Sequence, residues 1–137
     1  MTTNAADLAR FVREFQRICD EINEVILSFQ PTPDDPSEDL ERALMATLIR
    51  FSALNTERRT MSVPAEMQAV AAELGEALDL QESAYRGCLV AIRTGDLVDL
   101  ATQSRTLAAS ADRLNESSLR FLAAVEAVTG RSHKPDA

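Results

Sequence analysis

From Leu97 to Val128 the chain reads LVDLATQSRTLAASADRLNESSLRFLAAVEAV, and Leu100, Leu107, Leu114, Phe121 and Val128 recur at every seventh position. A strand alternates its faces every second residue, so this period excludes it; a period of seven keeps one seam of a helix against a neighbouring helix. Before it lie two interleaved lines of the same period, Ala71-Leu78-Tyr85-Ile92 and Met67-Leu74-Gln81-Cys88. Leu8, Phe15, Ile22 and Phe29 repeat the pattern near the start, and Leu40, Leu44, Leu48 and Phe51 form a further stripe at helical spacing. These four stripes predict an all-α protein, an antiparallel up-down-up-down four-helix bundle with left-handed, coiled-coil-like packing.

Local chemistry sets the expected ends. Helices are predicted at about 4–30, 38–60, 64–93 and 97–129, forming a single bundle over 1–130 with a flexible tail at 131–137. Asn4 is placed to cap the first helix, with Asp7 in its first turn. Pro31-Thr32-Pro33-Asp34-Asp35-Pro36 cannot continue a helix, because each proline lacks an amide hydrogen and restricts its predecessor. Ser37 suits the cap of the second helix and Pro64 the first turn of the third. Gly95 suits a left-handed C′ position, Asp96 the next cap, and Gly130 a stop. Gly75 and Gly87 lie inside the third helix, where they mark a close approach or a bend.

Composition narrows the function classes. The net charge of −8 and the scarcity of aromatics argue against a nucleic-acid partner, which needs a basic surface and stacking platforms. The same charge disfavours anionic lipid, and no apolar run is long enough to span a bilayer. Met1-Thr2-Thr3-Asn4 has neither the basic nor the apolar region of a signal peptide, so a cytoplasmic location is expected. Cys19 and Cys88 fall on apolar seams at different levels, too far apart to bridge; two free, buried thiols are predicted.

Chemistry-bearing patterns are scarce. His133 is the lone histidine, so neither a di-iron bundle nor a zinc site is expected, and no phosphate loop or nucleophile elbow is present. The reading is of a protein without cofactor or catalytic centre. With the last two helices folded about Gly95, Tyr85 is expected level with Ser104, and Gln81 and Cys88 gather with them. The simpler interpretation is that Tyr85 donates to Ser104 and Gln81 reaches the rim; the alternative is a ligand-sensing pocket of Gln81, Tyr85, Cys88 and Ser104.

Two surface features suggest a partner. Asp34, Asp35, Glu38, Asp39, Asp79 and Glu82 are among acids expected at the proline-loop end, opposite an end holding Arg58 and Arg59. Arg10, Arg13 and Arg17 share one face of the first helix. Met45 and Ile49 widen the apolar arc of the second helix, while Leu80, Val90, Val98 and Leu119 fall off the main seams. The segment Glu82–Leu114, a helix ending at Thr94-Gly95-Asp96-Leu97 followed by a leucine-rich helix, resembles parts of flagellar export chaperones and of chemoreceptor signalling domains. That resemblance is carried by generic hairpin chemistry and assigns no residue a role. The expectation is a non-catalytic interaction protein (adaptor, chaperone or regulator) that binds another protein or itself as a homodimer. Its surface would be Met45 and Ile49 with Asp34, Asp35 and Glu38.

Overall fold

Asn4 accepts the Ala6 amide on its side-chain oxygen at 2.8 Å, and from this cap helix α1 runs Ala5–Ser28. The computed structural model describes residues 4–29 and 37–133, so the candidates Asp34 and Asp35 lie outside it. Helix α2 follows at Ser37–Arg59, α3 at Gln68–Thr94 and α4 at Leu97–His133; the described residues contain no strand. Pro64 precedes the third helix instead of opening it. Its ψ of 147° is extended, and a 3-10 turn, Ala65–Met67, leads into α3. Gly95, at φ 71°, is the left-handed turn expected between α3 and α4. The Asp96 amide reaches back to the Ala91 carbonyl at 3.0 Å while its side chain caps the Asp99 amide at 3.0 Å. Gly130 does not stop α4, which continues to His133. A glycine weakens a helix by about 1 kcal/mol but ends it only by turning left-handed. Residues 134–137 of the expected tail lie outside the described residues.

The α1 stripe is buried as its spacing requires: Phe11, Phe15, Ile18, Ile22 and Val25 face the core. Leu44, Leu48 and Phe51 meet them from α2, and Leu74, Leu78, Tyr85 and Leu89 from α3. Burying one such side chain contributes about 1.5–3 kcal/mol.

Helix α4 departs from the heptad reading. Leu100, Leu107 and Leu114 are only half-buried, whereas Ser110, Ser117 and Phe121 are buried. The cause lies on α3. Ala77, Ala84 and Ala91 repeat at seven and are buried. Their neighbours Glu76 and Cys88 meet Arg113 and Ser104, so this alanine ladder faces α4. Alanine against serine lets the backbones approach closely, and α3 and α4 share the most extensive proximity of any helix pair. Gly87 serves the same contact: a Cβ there would stand 2.4 Å from the Gln103 side chain. The leucines are left flanking the contact instead of filling it.

Candidate functional site

On its other side α4 is barely covered. Helices α1 and α4 come close almost nowhere along their backbones. Phe15 and Phe121 stack at 4.8 Å and close one end of the seam. Beyond them the helices part, leaving a cleft of about 350 Å³. Ile22 and Ile26 of α1 and Leu114 and Leu122 of α4 form its walls, and Leu78 and Gln81 of α3 line it from beneath. Gln16, Asp20, Asn23, Asn115 and Ser118 supply the polar lining. Gln81 is only 2% exposed, and its Oε1 is buried without a hydrogen-bond donor. Buried amide oxygens in folded proteins are nearly always paired, so this one marks the cleft as unusual.

Cys19 also lines the cleft, as does Leu78. Both cysteines are free; Cys88 is buried, but Cys19 is half-buried, not sealed in the core as expected. Burial still pushes the Cys19 thiol up to about 12, with Asp20 adding to the rise and Arg58 opposing it. A thiol held protonated in this way is a poor nucleophile at neutral pH.

The expected pocket does not assemble as one site. Tyr85 sits between Phe29 and Phe51, its ring centroid 6.0 and 5.9 Å from theirs, and burial raises its phenol. Ser104 is exposed and bonds the Cys88 thiol, whose pKa burial raises against that bond. Gln81 alone faces the α1–α4 cleft. Sequence spacing placed these residues at similar heights; it could not show which neighbouring helix each one faces.

A second polar constellation joins α2 to α3. Asn55 is fully buried and donates to Asp79 and Glu82, each at 2.9 Å. Arg58 donates to Asn55 at 2.6 Å and to Asp79 at 2.9 Å, and Arg59 reaches Asp79 at 2.7 Å. Arg86 holds the other oxygen of Glu82 at 3.0 Å. Burial works to raise the Asp79 carboxyl, but the Arg59 and Asn55 hydrogen bonds and the Arg58 charge hold it below its ordinary value. Gly75 makes room for this arrangement, since a Cβ there would stand 2.6 Å from the Arg58 guanidinium. Arg58 and Arg59 thus neutralise Asp79 and Glu82, correcting the sequence picture in which they occupied opposite ends. Asn55 was missed, although it continues the line Leu44-Leu48-Phe51 and so signals a polar group on a seam. Every carboxylate here is occupied by a donor, which suits structure better than proton transfer.

Of the expected partner surface, Ile49 is 62% exposed and Glu38 is exposed, but Met45 packs against the core. Val90, Val98 and Leu119 are exposed, while Leu80 is half-buried. The arginine face of α1 is partly engaged: Arg10 pairs with Asp7, and Arg17 with Glu14, Glu21 and Glu57. A further exposed stripe runs along α4. Leu97, Ala101, Ser104, Ala108, Ala111, Asn115 and Leu122 share one side of the helix and are all exposed. Within it Ser104 reaches Cys88 of α3 and Ala111, Asn115 and Leu122 border the α1–α4 cleft, while Ala101 and Ala108 are exposed.

Among the described residues no group of His, Cys, Asp and Glu is placed to hold a metal ion. No described helix is long and apolar enough to cross a membrane. In comparisons with family models, curated proteins and solved structures, none matches the chain.

Proposed function

We propose that the chain is a non-catalytic, cytoplasmic interaction protein, an adaptor, chaperone or regulator, built as an antiparallel up-down-up-down bundle with left-handed packing. Its working surface is the uncovered side of α4. The observation that carries this reading is the exposed stripe from Leu97 to Leu122, in which small residues run between two terminal leucines. A partner helix can approach such a stripe closely and anchor its own apolar side chains at the leucines. The partner is another protein or a second copy of the chain; the net charge of −8 argues against nucleic acid and anionic membrane. The α2 surface contributes less, because Met45 is engaged with the core.

Photo-crosslinking tests the reading. A photoreactive residue replacing Ala108 in cells is expected to yield a discrete crosslinked species, either a dimer or one recurrent partner. The same residue at the exposed Ala53 of α2 is expected to yield none. No crosslink from position 108, or the same products from both positions, would overturn it.

A further inference from the structure

The α1–α4 cleft carries an inference that goes beyond partner binding and does not depend on it. We infer that this cleft binds a small, largely apolar molecule, neutral or cationic, that donates an N–H or O–H to Gln81 Oε1.

Three observations converge. At about 350 Å³ the cleft lies within the range of ligand pockets, about 300–1,000 Å³, and it combines apolar walls from Ile22, Ile26, Leu78, Leu114 and Leu122 with polar groups at its edges. Gln81, 2% exposed, keeps an acceptor without a donor, and a bound donor restores the pairing that burial removed. No lysine or arginine lines the cleft, whereas Asp20 does, so an anion meets no counter-charge and a cation meets one. The apolar contacts select for shape and size, Gln81 for the donor, and Asp20 against negative charge.

Indole and 1-methylindole are matched probes, because they differ in the single N–H that Gln81 would accept. Titration followed by amide chemical shifts is expected to place indole against Ile22, Leu78 and Leu114. Indole is expected to bind about fivefold more tightly than 1-methylindole, the effect of one ordinary hydrogen bond. In Gln81→Leu that preference is expected to vanish. Tryptamine is expected to bind more tightly than indole-3-acetate. Saturating indole should slow alkylation of Cys19 and leave Cys88, outside the cleft, unchanged. Should Gln81→Leu fail to fold, Ser118→Leu narrows the cleft and is expected to abolish binding. Equal affinity for the two indoles, no binding by any of the probes, or a preference that survives in Gln81→Leu would each overturn the inference. So would undiminished binding to Ser118→Leu. None of these readings requires the α4 stripe to engage a protein.

Discussion

The two sides of α4 are built from similar residues and have opposite fates. Ser110 and Ser117 are buried, like the alanine ladder of α3; toward α1, Ala111 lines the open cleft and is exposed, as is Ala108 one turn before it. Small side chains therefore do not by themselves produce a close contact. What decides is the opposing helix: α3 offers Ala77, Ala84 and Ala91, whereas α1 offers the larger Gln16, Asn23 and Ile26 across the seam. Small against small closes the gap, and small against large leaves a cleft.

The sharpest way to break this contrast is at the Phe15–Phe121 stack, where α1 and α4 do close. Removing the Phe121 ring deletes the stack on Phe15, and Phe121→Ala is expected to cost about 3–5 kcal/mol in chemical denaturation. A loss below about 1 kcal/mol would mean that the stack does not hold the seam. On the closed side, Ala84→Leu adds bulk where the backbones meet and should cost about 1–3 kcal/mol. Alkaline titration separates the sides further. The Cys19 thiol is raised from an ordinary 9.0 to about 12, so its contribution is fully present below pH 9.0 and lost as pH rises toward 12. Stability measured across that window should fall less steeply in Cys19→Ser than in the parent; parallel curves would exclude a buried thiol. The smallest effect belongs to the open side. Ala108→Leu should change stability by no more than about 0.5 kcal/mol, since Ala108 is exposed. A penalty matching that of Ala84→Leu would erase the distinction between the two sides.

Much of this architecture was legible in the residues. The α1 stripe, the Asn4 cap and the Gly95–Asp96 hairpin follow from periodicity and capping chemistry, which act within one helix or turn. What was not legible depends on pairing between helices. A heptad line identifies the side of α4 that meets neighbours but not its depth, so the leucines were assigned the core that Ser110 and Ser117 occupy. Equal heights suggested a meeting of Gln81, Tyr85 and Ser104, yet they face different helices. Asn55 carried a signal that only its partners Asp79 and Glu82 make intelligible.

Those partners are shared unequally, which has a consequence for how the chain tolerates change. One oxygen of Asp79 receives Asn55, Arg58 and Arg59 together, so losing any single donor leaves two in place. Losing the carboxylate takes a shared acceptor from all three at once, leaving Asn55 on Glu82, Arg58 on Asn55 and Arg59 within 3.7 Å of Glu82. Sequence drift at this joint should be lopsided: a saturation scan should find position 79 nearly invariant while position 59 accepts many replacements, and equal permissiveness at both would contradict the hub.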